Sequence, residues 1–362
     1  MKIVVVFGGK SVEHEISVIS AFQVIEILKN KYDVIPVYVS KSNNFYYSKK
    51  VNCLEDFKNR GYKKSERVSF IRKNGDSYIR GKRRKEFDLI FPIVHGKGME
   101  DGTILSYFRF SGFDIVGDNI SFYSAMQDKK ITKMLLDSLN IKNVSSQSFK
   151  RDEKLDKLKL EFPLIVKPNN LGSSIGINVA NNFYELEKCV ENVLRIDSEV
   201  LVESYLENAR EFNISVISNN GILETSIIEE VVKNGVYTFD DKYLSNNKKK
   251  GMNITSKSNF EIEDSIKLKC EKIAKLIYKE FKASGVIRVD FLYKDDELYV
   301  NEINSIPGSY AYYLWKDKYD FLELLDISIK ESKRYLYFYN KNNEIIDKDI
   351  IFNGLNKYWN LN

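Results

Sequence analysis

Apolar runs alternate with a helical segment over the first forty residues, and this alternation constrains the fold more than any other feature. KIVVVFGG predicts a buried strand, the apolar residues from Val18 to Leu28 recur at helical spacing, and DVIPVYVS predicts a second buried strand. The two strands of such a βαβ unit lie parallel. Apolar runs at 87–96 and 113–117 extend the series. We therefore predict an α/β fold that begins with an open parallel sheet flanked by helices.

The character of the sequence changes twice after this sheet, so we predict three domains and a tail. A chain of 362 residues exceeds the length at which a single core usually divides. Residues 1–127 form the first domain, residues 128–210 a small α+β module, and residues 211–340 a region of strands, a helix and a hairpin. Residues 341–362 form a tail rich in asparagine and lysine.

The charge of the chain is mildly positive and spread out. Lys and Arg total 56 against 51 Asp and Glu, and the resulting net charge of +5 does not demand a polyanionic partner. The densest basic block, Lys82 to Lys85, favours a solvated hairpin loop over a nucleic-acid contact. No apolar run approaches the ~18 residues of a membrane span, and the first run is too short for a signal peptide. We expect a soluble, cytoplasmic protein whose partners include neither nucleic acid nor a membrane.

The segment SGVIRVDFLYKDDELYVNEIN predicts a β-hairpin that brings four polar side chains together. A turn at its paired aspartates sets Asp290 opposite Asn301 or Glu302 in antiparallel register. Because side chains alternate along a strand, Arg288 shares a face with Asp290, and Glu302 shares a face with Asn304. Two carboxylates, an amide and a guanidinium therefore converge on one side of the predicted sheet.

This cluster favours a hard metal ion over simple cross-strand charge pairing. Asp290 and Glu302 would repel one another unless a cation lay between them, and Asn304 adds a third oxygen. Oxygen ligands without cysteine or histidine favour Mg²⁺ or Mn²⁺ over zinc. The three cysteines are far apart and lack a nearby histidine, so they indicate neither a disulfide framework nor a zinc site. Because Mg²⁺ normally binds together with phosphates, the cluster predicts a phosphate-bearing substrate.

The stretch KPNNLGSSIGI is a candidate site for those phosphates. The apolar run before it reads as a strand that ends at Lys167, and Gly172 and Gly176 permit backbone angles and close approaches that a Cβ would forbid. A bare loop of this kind can direct N–H groups at an anion, although an ordinary hairpin turn is the commoner structure for such a window. No Walker motif exists, because Val4 stands where FGGKS would need an earlier glycine.

The two histidines of the chain each follow a predicted strand of the first sheet. His14 lies in GGKSVEHEIS and His95 lies in VHGKGMEDGT. Open α/β sheets bind ligands beyond the carboxyl ends of their parallel strands. A lone histidine is more often a structural hydrogen-bonding group than a catalyst, but two at one sheet edge beside glycines favour a site.

Seven motifs occur in a fixed order over most of the chain. They are GGKSVEHEIS, HGKGMEDGT, QDKKITK, KPNNLGSSIG, VLVESYL, DDKYLS, and RVDF followed by NEINSIPG. This order resembles the D-alanine–D-alanine ligases of the ATP-grasp superfamily. The resemblance implies three domains, with ATP held between the second and third and with the first domain serving the amino-acid substrate. It also implies ATP-dependent ligation of two D-alanines through an acylphosphate for peptidoglycan synthesis, by an enzyme that commonly forms homodimers.

The resemblance further implies a set of ATP-binding residues. They are Lys129, Lys167, Ser173, Ser174, Glu203, Leu206, Glu211 and Lys242. Within this set, Glu203 and Leu206 would recognise adenine, Glu211 would bind the ribose hydroxyls, and the lysines would contact phosphates. Lys242 would reach the γ-phosphate.

Residues for the first substrate follow from the same resemblance. Glu13 would bind the ammonium group of the first D-alanine, and His95 would lie close to that substrate. Glu13, Ser173 and Tyr243 resemble a hydrogen-bonded set that holds a mobile loop closed over the site. Closure would exclude water, which otherwise hydrolyses an acylphosphate.

The resemblance also assigns the metal and oxyanion groups. Asp290, Glu302 and Asn304 would hold two Mg²⁺ or Mn²⁺ ions, in agreement with the metal site predicted from the hairpin. Arg288 and the backbone N–H of Gly308 would stabilise the tetrahedral oxyanion.

Two positions depart from the family pattern and keep alternatives open. Tyr313 stands where the family usually has a serine that binds the carboxylate of the second substrate, and ENAREFN lacks the usual glycine before Glu211. Either a hydroxyl of Tyr313, Tyr312 or Ser309 takes the place of that serine and the acceptor is D-alanine, or the acceptor is D-serine or another D-amino acid. Tyr243 favours an amine acceptor in either case. A non-catalytic nucleotide-binding module is a third hypothesis, against which the transition-state arginine Arg288 argues.

Overall fold

The structure is a computed structural model that describes residues 1–59, 61–117, 119–232, 255–257 and 262–342. Within these residues the helices are α1 (His14–Leu28), α2 (Leu54–Lys58), α3 (Thr103–Phe110), α4 (Ile120–Gln127), α5 (Lys129–Ser138), α6 (Phe183–Leu194), α7 (Asp264–Glu280) and α8 (Phe321–Asn342). None of the described helices is long and apolar enough to cross a membrane.

Eighteen strands within the described residues form four sheets. They are β1 (Lys2–Gly8), β2 (Asp33–Val39), β3 (Phe45–Tyr47), β4 (Glu66–Arg67), β5 (Ser69–Lys73), β6 (Asp76–Arg80), β7 (Arg84–Glu86), β8 (Leu89–Ile93), β9 (Ser146–Lys150), β10 (Leu164–Pro168), β11 (Asn178–Ala180), β12 (Glu199–Ser204), β13 (Arg210–Asn219), β14 (Ile222–Thr225), β15 (Glu229–Val232), β16 (Thr255–Lys257), β17 (Ile287–Lys294) and β18 (Glu297–Asn304).

The first sheet contains the predicted βαβ unit but is mixed. Its strand order is β4-β3-β2-β1-β8, with β1 parallel to both β2 and β8. The strands β3 and β4 at one edge are antiparallel to their neighbours, so the predicted parallel sheet is confirmed for β2, β1 and β8 and is extended by an antiparallel edge. The predicted strand at 113–117 is reduced to one parallel bridge, between Ile115 and Ile90. The β1 and β8 strands are buried on both faces, which matches their continuous apolar sequences.

A separate three-stranded sheet, β5-β6-β7, carries the basic block. Residues 82–84 lie at or beside the turn between β6 and β7 and are exposed or half-exposed, as expected for a solvated hairpin. Arg84 pairs with Asp76 at 2.7 Å and with Glu86 at 2.9 Å within that sheet. The block therefore serves local charge pairing on the surface.

The second large sheet lies between residues 146 and 204 and is antiparallel, in the order β11-β10-β12-β9. Helix α6 begins at an asparagine cap, because Asn182 accepts a hydrogen bond from the Glu185 N–H at 3.0 Å. The helix then buries its apolar stripe against β10 and β12, in a small core of its own.

The third large sheet, in the order β16-β15-β13-β17-β18 with β14 beside β13, contains the predicted hairpin. Asp295 and Asp296 both have positive φ, 50° and 59°, as a tight two-residue hairpin turn requires. Asp290 faces Glu302 and Arg288 faces Asn304, in agreement with the prediction. Strands β14 and β15 are separated by a short break at residues 226–228.

Packing joins the first and third large sheets more closely than the sequence indicated. One core cluster combines residues of β1 and α1, such as Val5 and Phe22, with Trp315 and Leu324 near the end of the described chain. A second cluster combines the other face of the first sheet with β13, β17 and α7. The central sheet keeps a separate core. The predicted domain boundaries stay a prediction.

Candidate active site

The candidate active site lies where segments of all three large sheets meet. The first sheet contributes the segments after β1 and β8, the central sheet contributes the glycine-serine loop after β10, and the third sheet contributes the β17–β18 hairpin. Contacts between Glu13 and Ser173 and between Lys129 and Glu302 connect these segments. Side chains from distant parts of the sequence are therefore held within one site.

The glycine-serine loop turns sharply and approaches Glu13. Ser173 and Ser174 adopt positive φ values of 53° and 57°, a left-handed conformation that is uncommon for residues other than glycine. A Cβ on Gly172 would lie 2.8 Å from Oε2 of Glu13, so glycine permits the close approach that the sequence predicted. Gly176 has φ +73°, as expected for a position that needs glycine. The Ser173 hydroxyl donates a short hydrogen bond to Glu13 Oε1.

Lys129 is placed by the cap of its helix. Asp128 ends α4 and accepts a hydrogen bond from the Ile131 N–H at 2.9 Å, so α5 starts at Lys129. The Lys129 ammonium donates to the Leu171 carbonyl at 2.7 Å and lies 3.9 Å from Glu302 Oε1. Burial lowers the pKa of Lys129, and the positive charge of Lys167 adds to this effect. A phosphate between the two ammonium groups would offset their repulsion.

Lys167 and Glu203 form a buried charged cluster that includes one lysine missed by the sequence analysis. Glu203 Oε2 lies 2.6 Å from Lys167 Nζ, and Glu203 Oε1 lies 2.9 Å from Lys133 Nζ. Burial alone would raise the pKa of Glu203, but Lys167 and then Lys133 outweigh it and lower the pKa to about 2. Because the carboxylate already engages two lysines, a contact between it and adenine stays a prediction.

The hairpin brings its four polar residues together as predicted. Arg288 donates to both carboxylate oxygens of Asp290, through Nε and Nη2, at 2.7 Å each. Asn304 Nδ2 donates to Asp290 Oδ2 at 3.1 Å. Asp290 is buried, with 6% of its side chain exposed, and Glu302 lies opposite it across the hairpin. A charge-assisted bidentate pair of this kind fixes both groups.

This donor set fits a hard divalent cation. Its groups are two carboxylates and one amide, without thiol or imidazole, which is the chemistry that Mg²⁺ and Mn²⁺ prefer. Asn213 lies directly opposite Asp290 on β13, and its buried Oδ1 accepts no hydrogen bond from the part of the chain that is described. Within the described ranges, no group of three or more histidine, cysteine, aspartate or glutamate side chains is arranged as a metal site. The metal assignment to Asp290, Glu302 and Asn304 stays a prediction.

Tyr313 reaches the site through Arg288. Its hydroxyl lies 3.2 Å from Arg288 Nη1, on the side of the guanidinium away from Asp290. The chain reaches this position through three consecutive residues with positive φ, Ser309 to Ala311. Gly308 precedes them, and a Cβ added there would meet nothing within 4 Å, so its surroundings are open. The tyrosine that departs from the family pattern therefore lies beside the guanidinium expected at the reaction.

The two histidines have different surroundings. His14 is engaged at both ring nitrogens, with Gly9 O at 2.7 Å from Nδ1 and the Tyr38 hydroxyl at 3.2 Å from Nε2. These contacts favour a structural role for His14, and its membership of a site stays a prediction. His95 is also buried, but its Nε2 has no partner within the described residues. That nitrogen is free to contact a substrate.

Glu100 is a further site residue that the sequence analysis missed. Its Oε1 accepts hydrogen bonds from Ser305 Oγ at 2.8 Å and from the Ile306 N–H at 2.9 Å. Its Oε2 lies 3.8 Å from His95 Nδ1. Glu100 thus connects the histidine to the segment after β18. The signal was present, because the residue lies within the quoted motif HGKGMEDGT.

The four remaining predicted site residues are Leu206, Glu211, Lys242 and Tyr243. Leu206 follows β12 and is half-buried, and Glu211 lies on β13 opposite Leu292 of β17. Lys242 and Tyr243 lie outside the described residues. The roles assigned to these four residues stay predictions.

Comparison with known proteins decides the family of this chain. Residues 2–118 match the family description “D-ala D-ala ligase N-terminus”, and residues 134–318 match “D-ala D-ala ligase C-terminus”. The chain belongs to the D-alanine–D-alanine ligase family. The D-alanine–D-alanine ligase of Thermosipho melanesiensis is 37% identical over 340 residues, which cover 90% of this chain and 92% of that protein. The family and the ATP-grasp fold predicted from the seven motifs are confirmed.

Two solved structures show how closely the ligase fold is shared. The D-alanine–D-alanine ligase of Helicobacter pylori has a TM-score of 0.73 and 27% identity, and covers 91% of this chain and 98% of its own. VanG, a D-Ala:D-Ser ligase from Enterococcus faecalis, has a TM-score of 0.77 and 28% identity, and covers 91% of this chain and 99% of its own. The fold is thus similar to that of ligases named for two different acceptors.

Proposed function

We propose that this ligase joins two D-alanine molecules into D-alanyl-D-alanine at the expense of ATP, for peptidoglycan synthesis. The observation that carries the proposal is the meeting of Glu13, the lysine-flanked glycine-serine loop and the carboxylate hairpin. A carboxylate reacts poorly with amines until ATP converts it to an acylphosphate. A site for this reaction therefore needs an ammonium anchor, a phosphate cradle and an oxyanion stabiliser, and each is available here.

The first amino acid is bound at the edge of the first sheet. Glu13 offers the ammonium group of this amino acid a carboxylate. Nε2 of His95, which has no partner in the part of the chain that is described, offers the amino acid's carboxylate a donor. Glu13 already accepts from Ser173 and therefore connects this substrate to the phosphate loop. Binding of the first amino acid and closure of the loop on ATP favour one another in this arrangement.

The phosphates of ATP lie between Lys129 and Lys167 and are covered by Ser173 and Ser174. The ammonium groups of these lysines, whose side chains are 16% and 8% exposed, attract a polyanion strongly. Asp290, Glu302 and Asn304 would hold the magnesium ions, which would supply positive charge to neutralise the transferring phosphoryl group. Adenine and ribose recognition is assigned to Glu203, Leu206 and Glu211, with Lys242 and Tyr243 acting on the γ-phosphate and the closed loop.

The second amino acid attacks the acylphosphate through its amine. Arg288 and the Gly308 N–H stabilise the oxyanion that develops on the carbonyl carbon. The Tyr313 hydroxyl, 3.2 Å from Arg288 Nη1, replaces the family's serine as a partner for the acceptor carboxylate. The amine displaces phosphate, which leaves the dipeptide, ADP and phosphate as products.

A ligase that joins D-alanine to D-serine is the second candidate. Two observations favour it: Tyr313 departs from the family pattern at the acceptor site, and VanG, which is named for D-serine, has a closely similar fold. A phenol beside a guanidinium can donate to a serine hydroxyl as well as to a carboxylate. The chemistry of activation is the same in both cases.

The test is phosphate release from Mg²⁺-ATP with D-alanine alone, and then with D-alanine plus D-serine or D-lactate, with products identified by mass. Release with D-alanine alone and a D-alanyl-D-alanine product supports the proposal. Release that requires D-serine supports the second candidate. The surface variant Asp76→Asn serves as an active control, whereas Asp290→Asn should be inactive. No release with any pair contradicts both candidates and favours a non-catalytic module.

A further inference from the structure

The segment that follows β8 contacts both other parts of the molecule. Within HGKGMED, His95 is buried, with no partner for its Nε2 among the described residues, and Glu100 accepts hydrogen bonds from the segment after β18. Lys97, between them, extends in another direction. Its ammonium lies 3.2 Å from Oδ1 of Asp197, at the end of α6 in the central region. No role in the reaction has been given to either residue of this pair.

Asp197 is a buried carboxylate that binds the start of the glycine-serine loop. Its side chain is fully buried, whereas 47% of the Lys97 side chain is exposed. Its Oδ2 accepts the Asn170 N–H at 2.7 Å, and its Oδ1 accepts the Ser198 N–H at 2.8 Å. The Asn170 side-chain amide adds contacts of 3.3 and 3.4 Å. These N–H groups satisfy the hydrogen-bonding capacity of the carboxylate, and the Lys97 ammonium adds a compensating positive charge.

Asn170 lies at the start of the glycine-serine loop, and hydrogen bonds fix successive residues of the loop from there. Gln127 donates to the Asn170 carbonyl at 2.6 Å, and Lys129 donates to the Leu171 carbonyl at 2.7 Å. Ser173 then donates to Glu13. The first region of the chain therefore contacts the loop at three places: Gln127 binds the Asn170 carbonyl, Glu13 binds Ser173 at the turn, and Lys97 acts at the start of the loop through Asp197.

We propose that Lys97 is a positioning residue that orders the phosphate loop by means of the Asp197–Asn170 contact. The proposal rests on the proposed function, since the loop matters to the reaction only if it binds ATP. The Lys97 ammonium compensates the buried negative charge of Asp197. It also connects Asp197, which binds Asn170, to the segment that carries His95 and Glu100. The substrate side of the site and the phosphate loop thereby move together.

The experiment compares Lys97→Met with wild type by amide hydrogen exchange over residues 170–176, measured without substrates. Loss of a half-exposed ion pair should speed exchange there roughly threefold to tenfold, with the urea midpoint unchanged. The KM for ATP should rise by a similar factor while kcat changes little. Lys97→Arg keeps the charge and should restore both values. The matched control is Lys41→Met, which removes an exposed pair with Glu15 in the same region.

Loop exchange and KM in Lys97→Met equal to those of wild type and Lys41→Met would overturn the proposal. The exchange arm needs no catalysis, so the two proposals fail separately. Faster loop exchange in a protein that ligates nothing would refute the proposed function and still support the positioning of the loop by Lys97.

Discussion

Glu13 lies in surroundings that make ionisation of its carboxyl group costly. Burial raises the pKa of this carboxyl and the negative charge of Glu100 raises it further, while the Ser173 hydrogen bond and His95 lower it by less. The ammonium group of an amino acid would relieve this cost on binding. A carboxyl group whose ionised form is destabilised in the free protein therefore favours binding of a cationic ligand.

Glu13→Gln should raise the stability of the free protein at neutral pH. An acid whose folded pKa is raised keeps its proton longer in the folded state, so stability falls as pH rises from the unfolded pKa near 4.5 through the folded one. Glutamine keeps the oxygen that accepts from Ser173 and removes this loss. Urea midpoints at pH 4 and pH 7.5 should differ less for the variant than for wild type.

The same variant should bind the first substrate poorly. Loss of a charge-assisted hydrogen bond to an ammonium group predicts a KM for D-alanine higher by roughly 10- to 100-fold. A stability difference between the two proteins that is independent of pH would count against the account of Glu13.

Arg288→Ala should depress turnover far more than ATP binding. Removal of one oxyanion donor typically lowers kcat by about 10²–10³-fold, whereas the ATP dissociation constant should change by less than about threefold. The free variant should also lose stability, because Asp290 is left buried without its bidentate partner. Arg84→Ala, on the three-stranded sheet, is the control. Equal losses of ATP affinity and turnover would contradict the role given to Arg288.

Single residues were predictable from the sequence where a local rule placed them. Alternation along β17 set Arg288 beside Asp290, and the hairpin turn set Glu302 opposite. Lys133 and Lys97 were missed because their partners, Glu203 and Asp197, are remote in sequence and are chosen by tertiary packing. Both lysines lie within quoted motifs, HGKGMEDGT and QDKKITK, but no pattern within a short window identifies their remote partners.

The elements that carry the site are short turns whose backbone conformation does the positioning. The glycine-serine loop passes through left-handed angles at Ser173 and Ser174, and the acceptor segment does so from Ser309 to Ala311. Glycines announced the first turn in the sequence. The second turn has no glycine within it, and its signal in the sequence is the Pro-Gly pair at 307–308 that directly precedes it.

Gly172→Ala should displace Glu13 without unfolding the loop. The φ of Gly172 is not in the left-handed region, so alanine fits the backbone, but its Cβ would lie 2.8 Å from Glu13 Oε2 and 3.0 Å from Oε1. The KM for D-alanine should rise about tenfold, which corresponds to the disturbance of one polar contact of Glu13. The free energy of unfolding should change little.

Gly75→Ala provides the opposite control. Gly75 lies at the β5–β6 turn with φ +86° and open space around it, so alanine there should cost about 1 kcal/mol of stability and leave the KM unchanged. If Gly172→Ala lowers stability and leaves the KM unchanged, the contact with Glu13 is not what requires glycine at 172.

Strand prediction succeeded for long apolar runs and failed for short edges. β1, β8 and β17 are buried and periodic, whereas β3 and β4 have three and two residues. Such short strands are fixed by pairing with a neighbour, and their own sequences resemble loops. This is why the mixed character of the first sheet emerged only in the structure.

The whole molecule is organised around shared cores. Trp315 is fully buried and donates to Ser215 Oγ at 2.9 Å, within a cluster that also contains Phe22 of the first helix. The Tyr32 hydroxyl donates to Asp326 Oδ1 at 2.7 Å across 294 positions of sequence. The first and third regions therefore stabilise one another, while the central sheet depends on its own core.

Substitutions in the two cores should differ in how far their effects spread. Trp315→Phe and Val202→Ala should each cost about 1–3 kcal/mol, because each removes buried contacts. Hydrogen exchange should rise in both the first and third regions for Trp315→Phe, but only within residues 146–204 for Val202→Ala. Exchange changes confined to the third region in Trp315→Phe would contradict a shared core.

Activation of D-alanine through an acylphosphate is tested most directly by following one oxygen atom through the reaction. D-Alanine labelled with ¹⁸O in its carboxylate is incubated with Mg²⁺-ATP, and the released phosphate is analysed by mass. If the carboxylate attacks the γ-phosphorus and the second amine then displaces phosphate from the acyl carbon, each phosphate carries one ¹⁸O atom. Unlabelled phosphate would mean that water, and not the amino acid, accepts the phosphoryl group, and would contradict the account.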